Sequence, residues 1–293
     1  MKALIITNNQ IGHNQYKIDR FIEESTKLDI SFDIKINDGS LYYIENGEPV
    51  FNIGKYDFVI YLDKDIYTAY ALEKAGYKLY NSADFIRLCD DKSLTFVKCL
   101  NLGIDMPKTI TPPLVYSSKL DETLRDKFLT YVENTIPYPI IGKLSYSSLG
   151  EGVFKLYNIE QLTNFYNQHF NEPFVFQESV ETSIGRSLRV LIINQEIVGA
   201  IERINESDFR SNASKSYSKK HQLDAKYLSF AKNIAEKLKI KYAGIDLLFG
   251  KDGPLLCEIN SNAFFEEFEK TTNINVAYKF LSFIVQEVGK ETK

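Results

Sequence analysis

Apolar positions along the first eighty residues switch repeatedly between the spacing of a strand and that of a helix. Residues 3–7 form a short apolar run of the buried-strand kind. Over 15–28 the apolar groups Ile18, Phe21, Ile22 and Leu28 recur near helical spacing, and Phe32, Ile34 and Ile36 then alternate with polar residues as in a strand. Residues 57–62 predict a third strand and 78–80 a fourth. Between them 66–75 predicts a helix closed by Gly76, because glycine accepts the positive φ of a helix C′ position. Such alternation implies a mainly parallel sheet with helices on both faces.

From about residue 89 the pattern changes. A helix is expected over 93–102, closed by Gly103, and Pro107 returns the chain to extended structure. The stretch 111–118, with Pro112-Pro113, reads as a loop or edge segment, 124–132 as a helix and 138–143 as a strand. A loop of small residues follows over 145–152, then a strand over 153–157. Asn158 with Gln161 three places on forms a partial capping box for a helix to about 168, and 174–179 is a strand. Beyond this the chain is strand-rich. Segments 188–193 and 197–203 flank Asn194-Gln195-Glu196 as a hairpin, 208–220 reads as a long polar loop, and 226–238 as an amphipathic helix. Strands at 242–249 and 255–260 flank the turn Gly250-Lys251-Asp252-Gly253, and a helix runs from about 275. The expected units are 1–88, 89–178 and 179–293, with α/β organisation first and α+β organisation in the C-terminal part.

Composition narrows the function. Of 293 residues 44% are apolar and 25% charged, which excludes a disordered chain. The 35 basic against 39 acidic residues give a net charge of −4, so nucleic acid is not an expected partner. Cys89, Cys99 and Cys257 are odd in number and form no Cys-x-x-Cys, and His13, His169 and His221 lie far apart. A disulfide framework and a zinc site are not expected. The first apolar run is too short for a signal peptide and no run reaches membrane length, so the expectation is a soluble, cytoplasmic protein that binds no membrane.

The most informative chemistry is Gly244-Ile245-Asp246-Leu247-Leu248 followed by Cys257-Glu258-Ile259-Asn260. A turn centred on Asp252 sets 249 opposite 255 and 246 opposite 258. Asp246, Glu258 and Asn260 then share one face, with Ile245, Leu247, Cys257 and Ile259 on the other, toward a core. Two opposed carboxylates repel. A divalent cation would remove the repulsion, and an all-oxygen donor set suits Mg²⁺ or Mn²⁺ rather than zinc; the bland alternative is a solvated polar face.

Lys143 ends an apolar strand before Leu144-Ser145-Tyr146-Ser147-Ser148-Leu149-Gly150-Glu151-Gly152, a loop whose small residues allow main-chain N–H groups to approach phosphate. It is neither a Walker A motif nor a dinucleotide fingerprint. Asp91-Lys92 places a second lysine at a helix start. Arg189, Arg203 and Arg210 sit on or beside the middle strands, where guanidinium groups take carboxylates or phosphates through paired hydrogen bonds, or form surface salt bridges.

In order, Asp91-Lys92, Lys143 with its loop, Gln177-Glu178, Arg189, Asp208-Phe209-Arg210-Ser211-Asn212, Asp246 and Glu258-Ile259-Asn260-Ser261 resemble the ATP-grasp superfamily, and within it the RimK-type amino-acid (α-L-glutamate) ligases. The similarity runs from about Cys89 onward, and Glu269-Lys270-Thr271-Thr272 looks like the family's closing segment. Residues 1–88 match in outline, as a pre-ATP-grasp domain. The resemblance implies an ATP-grasp fold with a parallel-sheet leading domain, a lid subdomain and an antiparallel C-terminal subdomain.

It also implies roles. Lys92 and Lys143 would bind the phosphates of ATP, with Ser147, Gly150 and Gly152 in a lid above them. Gln177, Glu178 and Val180 would line the adenine, and Ser187 would lie at the nucleotide. Arg210 and Asn212 would contact phosphate, with Arg210 and Lys143 acting in catalysis. Asp246, Glu258 and Asn260 would hold Mg²⁺ or Mn²⁺, while Arg189, Arg203 and Ser261 would face substrate. Three positions depart from the family. Ser187 stands where Asp is usual, Ser147-Ser148 where glycine is common, and Asn262-Ala263-Phe264-Phe265 where relatives often have a Pro-Gly turn.

The implied activity is ATP-dependent amide or peptide bond formation through an acyl phosphate. The expected substrates are a carboxylate, such as glutamate or another amino acid, and an amine acceptor from an amino acid, peptide or protein. A ligase of a different dipeptide or natural-product pathway is the second reading, and a non-ligating ATP sensor the reading of another class. A homo-oligomer is left open.

Overall fold

A computed structural model describes residues 1–8, 11–148, 150–213 and 215–291. Leu149 of the small-residue loop and Ser214 of the polar loop lie outside the described residues. The chain opens with β1 (Lys2–Thr7), α1 (Ile11–Ser25), β2 (Ser31–Ile36), β3 (Tyr42–Glu45), β4 (Glu48–Phe51), β5 (Phe58–Leu62), α2 (Ile66–Lys74) and β6 (Leu79–Tyr80). Strands β2, β1, β5 and β6 form a parallel sheet in that order. The central strand β5 is buried along its whole length, as expected where helices cover both faces. Residues 42–51, to which the apolar pattern assigns no element, form a separate hairpin. Its turn is Asn46-Gly47, both at positive φ (52° and 83°), the dipeptide that a two-residue turn favours.

Two short helices lead out of this sheet: α3 (Ala83–Asp90) and α4 (Lys92–Lys98). Asp91 caps the second, its Oδ1 accepting the Leu94 amide at 3.1 Å, so Lys92 occupies the first helical position. A second sheet follows from β7 (Thr109–Ile110), α5 (Glu122–Thr135), β8 (Ile140–Leu144), β9 (Val153–Leu156), α6 (Ile159–His169) and β10 (Phe174–Glu178). Its order is β7-β10-β8-β9, antiparallel throughout. Alternation divides β8. Ile140 joins a core with Leu129, Val132, Phe165 and Phe176, while Ile141 and Lys143 face the opposite way. A Cβ on Gly142 would come within 3.0 Å of the Phe165 ring, so glycine allows α6 its close seat.

The third sheet is built from β11 (Arg186–Ile193), β12 (Glu196–Ile204), β13 (Tyr217–His221), β14 (Tyr242–Gly250) and β15 (Gly253–Asn260), in the order β13-β12-β11-β14-β15. Helix α7 (Ala225–Lys237) packs on one face, and α8 (Glu266–Thr272) and α9 (Val276–Glu291) follow β15. Strand β13 replaces the end of the expected polar loop. It is an edge strand, and its Tyr-Ser-Lys-Lys-His composition carries no apolar alternation. One core joins the first sheet to the last helix, with Ile5, Phe21, Phe58 and Ile60 packed among Phe265, Phe280, Leu281 and Ile284. Glu269 ties the same parts together: it accepts from Tyr16 Oη at 2.7 Å, Arg20 Nε at 2.9 Å and the Val276 amide at 2.7 Å. Among the described residues no helix is long and apolar enough to cross a membrane.

Candidate active site

The expected hairpin of β14 and β15 forms, with a refinement. Asp246 pairs with Glu258 as predicted, but Phe249 pairs with Pro254, not with residue 255. A bulge between Asp246 and Leu247 absorbs the difference. Its extra residue is Cys257, which overturns the expectation that this side chain points into the core. Ile245, Leu247, Leu256 and Ile259 do so. Cys257 instead turns to the cleft beside Glu258, with Sγ 3.7 Å from Lys143 Nζ.

That cleft lies between the second and third sheets. Lys92, Lys143, Ser147, Gly150, Gln177, Glu178, Val180, Ser187, Arg210, Asn212, Asp246 and Glu258 all line it. Their elements explain their placement. Lys143 projects from the face of β8 opposite its core. Gln177 and Glu178 end β10: Gln177 Nε2 donates to Thr109 Oγ1 at 2.8 Å, and Glu178 Oε1 accepts the Lys108 amide at 2.8 Å. The Gln177 Oε1 is buried without a partner among the described residues. Ser187, at the position where Asp was noted as usual, shares a 2.6 Å hydrogen bond with Ser211.

The small-residue loop closes over this cleft through polar contacts. Lys92 Nζ donates to Ser147 O at 2.7 Å and lies 3.7 Å from Glu258 Oε1. Burial lowers the Lys92 pKa, with the Glu258 charge opposing. Arg210 Nη1 donates to Gly150 O at 2.7 Å while its other nitrogens grip Asp208 at 3.0 and 2.8 Å. Gly150 stands at φ +79°, a conformation that favours glycine. Gly152 is not on the cleft lining, and a Cβ there would come within 2.5 Å of Ser147 Cβ, so it permits the loop's fold.

The two carboxylates differ sharply. Asp246 is 4% exposed and sits between Arg189, whose Nη2 donates at 2.8 Å, and Arg203, whose Nη2 donates at 2.6 Å. Burial alone would raise its pKa, but the two guanidinium groups override it and hold the carboxyl at about 2. Arg189 is the register partner of Asp246 on β11, and Gly244 leaves room for it, since a Cβ there would meet Arg189 Cδ at 2.8 Å. The structure thus places both expected substrate arginines on Asp246. Arg203 still lines the cleft, with its Nε buried and unpartnered among the described residues. Glu258 is more open, with Lys92 as its charged neighbour.

Asn260 Nδ2 lies 3.4 Å from Asp246 Oδ2. Among the described residues no three His, Cys, Asp or Glu side chains gather around one point. Two carboxylates and an amide gather instead. The donors are all oxygens of the kind a hard divalent cation takes, and Glu258 keeps free lone pairs, whereas both Asp246 oxygens already accept from Arg189, which would have to yield one of them to an ion.

A second cavity of about 830 Å³ adjoins the cleft across Lys92, Arg203, Asn212 and Glu258, and Arg189, Asn260 and Ser261 line it. Two residues, one lining the cleft and one behind the wall of the second cavity, escaped the sequence reading. One is Cys257. The other is Lys17, which shares a buried stripe of α1 with Asn14, Ile18 and Phe21, the helical spacing that could have flagged it.

The RimK-like ATP-grasp domain family matches residues 92–284, a span containing every residue placed above in the cleft. The chain belongs to the RimK-like ATP-grasp family. Its ATP-grasp architecture follows the expected order, with the parallel sheet leading and the antiparallel sheets after it. The chain is 29% identical over 77% of its length, and 79% of the other, to "Uncharacterized protein MG012" of Mycoplasma genitalium. It is 27% identical over 73% of its length, and 68% of the other, to a "Probable alpha-L-glutamate ligase" of Legionella pneumophila strain Corby. The D-alanine–D-alanine ligase of Bacillus anthracis, solved in complex with ATP, shares the fold at a TM-score of 0.73 and 17% identity, covering 100% of both chains. Family membership makes this RimK-like ATP-grasp protein a member of an ATP-dependent ligase family.

Proposed function

We propose that the protein is an ATP- and Mg²⁺-dependent carboxylate–amine ligase. Its carboxylate substrate is glutamate or another amino acid, and its acceptor is the amine of an amino acid, peptide or protein. One observation carries the reading: Lys92, Lys143, Arg210, Asp246 and Glu258 line one cleft, and Asn260, beside Asp246, lines the cavity that adjoins it. The likeness to the probable alpha-L-glutamate ligase of Legionella pneumophila supports the choice of glutamate.

In this reading residues 1–88 lead, 89–178 carry the lid and 179–293 carry the metal- and substrate-binding groups. The segment 177–180 takes the adenine edge, with Glu178 and Val180 at the nucleotide and Ser187 beside it. Lys92, Lys143, Arg210 and Asn212 hold the phosphates as fixed cations and donors. Asp246, Glu258 and Asn260 hold Mg²⁺, or Mn²⁺ in its place, which when bound draws off phosphate charge. Arg203 and Ser261 face the carboxylate, and Arg189 orients Asp246.

The chemistry needs no enzyme nucleophile. A carboxylate oxygen attacks the γ-phosphorus and ADP leaves. The amine nitrogen then attacks the acyl carbon, the bond to the phosphate oxygen breaks, and the nitrogen loses a proton. Ser147, Gly150 and Gly152 belong to the loop that keeps water from the acyl phosphate.

The test mixes protein, ATP and Mg²⁺ with a panel of amino acids and reads phosphate release together with product mass. The expected product is one water lighter than its two substrates, formed with one phosphate released. ATP binding without substrate-stimulated phosphate release would establish the sensor reading instead.

A further inference from the structure

The second cavity has a far wall that the ligation chemistry does not explain. It is the segment after Asn260, where Asn262 and Phe264 stand. Phe265 is fully buried in the large core, whereas Phe264 is 45% exposed and lines the cavity. Its ring is held by Lys17, whose Nζ lies 4.6 Å from the ring centroid. Lys17 is 1% exposed and reaches across from α1, donating to Asn262 Oδ1 and, at 3.4 Å, to Asn262 O.

No carboxylate lies within ion-pair distance of Lys17 among the described residues, and burial lowers its pKa to about 7. A buried ammonium with no counter-ion costs stability. Among the described residues its hydrogen bonds and its ring contact go to this one wall, where they hold the ring and the loop.

We infer that Phe264 is the platform on which the amine substrate seats an apolar side chain, and that Lys17 is the positioning residue that holds the platform. This rests on the ligase reading. With the nucleotide in the cleft, the carboxylate must meet the γ-phosphate at the seam formed by Arg203 and Glu258. The amine then approaches from the far side, where Phe264 lies. Among the apolar residues that line this cavity Phe264 is the exposed one, since Ile201, Ala263 and Phe268 are almost fully buried, and its open ring is the surface on which an apolar side chain gains by leaving water.

The test uses the full-length protein with ATP, Mg²⁺ and L-glutamate, and three nucleophiles: hydroxylamine, glycinamide and L-phenylalaninamide. The two amides lack a free carboxylate and act only as amines. Hydroxylamine is small enough to trap the acyl phosphate without reading the wall. The KM for L-phenylalaninamide should lie about tenfold below that for glycinamide, and Phe264→Ala should abolish the difference. KM for ATP and kcat with hydroxylamine should stay unchanged. Lys17→Met should raise the L-phenylalaninamide KM about threefold, again without moving KM for ATP.

Absence of hydroxamate and amide with all three nucleophiles would sink the glutamate-ligase reading itself. Hydroxamate formation with equal KM values for the two amides, or a preference that survives Phe264→Ala, would overturn the platform alone. Phe264 is half exposed, so its variant decides the question even if Lys17→Met fails to fold.

Discussion

The cleft measures about 120 Å³ and the cavity beside it about 830 Å³, although Lys92, Arg203 and Glu258 bound both. The cleft is narrow because its roof is drawn down by separate hydrogen bonds, from Arg210 to Gly150 and from Lys92 to Ser147. The cavity is wide because its wall is fixed from behind, by Lys17 and by Phe265 in the core. Small-molecule sites are commonly about 300–1,000 Å³. In the proposed reading a nucleotide enters this cleft once the contacts from Arg210 to Gly150 and from Lys92 to Ser147 give way. The opposite wall cannot yield without disturbing α1. One hollow is bounded by a loop held through hydrogen bonds, the other by a wall backed by the core.

The seam between the hollows offers the strongest test. Asp246→Asn should abolish Mg²⁺-dependent phosphate release and also lower the free energy of unfolding by about 3 kcal/mol, because it strands two buried guanidinium groups. Urea unfolding and turnover assays measure both; an unfolding free energy equal to that of the parent protein would show that the arginines do not depend on it. Glu258→Gln, in a more open position, should reduce turnover by about 10²–10³ while leaving the unfolding midpoint in place. Near-normal turnover in that variant would remove Glu258 from the metal site.

Lys17 sharpens the rigid side. Its pKa of about 7 in the folded chain lies below the unfolded lysine value of about 10.4. Between those two values the unfolded state binds more protons, so this residue's contribution to stability rises with pH across the window. Unfolding free energies of the parent and Lys17→Met should diverge in the parent's favour from pH 7 to pH 9; a constant difference would refute the burial of an uncompensated charge. The smallest effect is expected in the cleft. Ser187→Ala removes one hydroxyl–hydroxyl bond and should shift the KM for ATP by about threefold, read from initial rates. No shift would leave Ser187 outside the nucleotide contact.

Much of this contrast was legible from the sequence, and the part that was not has identifiable causes. The Asp246–Glu258 pairing follows from alternation and turn position, which are local rules, whereas Lys92 and Lys143 gained their expected place at the cleft through the family resemblance. The bulge at Cys257 does not follow from local rules, because a one-residue shift leaves the apolar pattern of β15 nearly unchanged. Arg189 and Arg203 were read as open to substrate because sequence spacing does not report a partner on a neighbouring strand. Strand β13 carried no apolar alternation, and α8 lies in a segment read only through its family likeness. Lys17 was visible as a misfit on the buried stripe of α1, but its partner lies 245 residues away.

The core shared by the first sheet and the last helix also bears on how the chain is made. Phe21 on α1 packs against Phe280 on α9, with ring centroids 5.9 Å apart. During synthesis, residues 1–62 leave the ribosome with half of that core uncovered. They wait for more than two hundred further residues before Phe280 and Ile284 can cover it. The leading sheet is therefore the part of this protein most exposed to premature association, and the part with most to gain from a chaperone that shields apolar surface during translation.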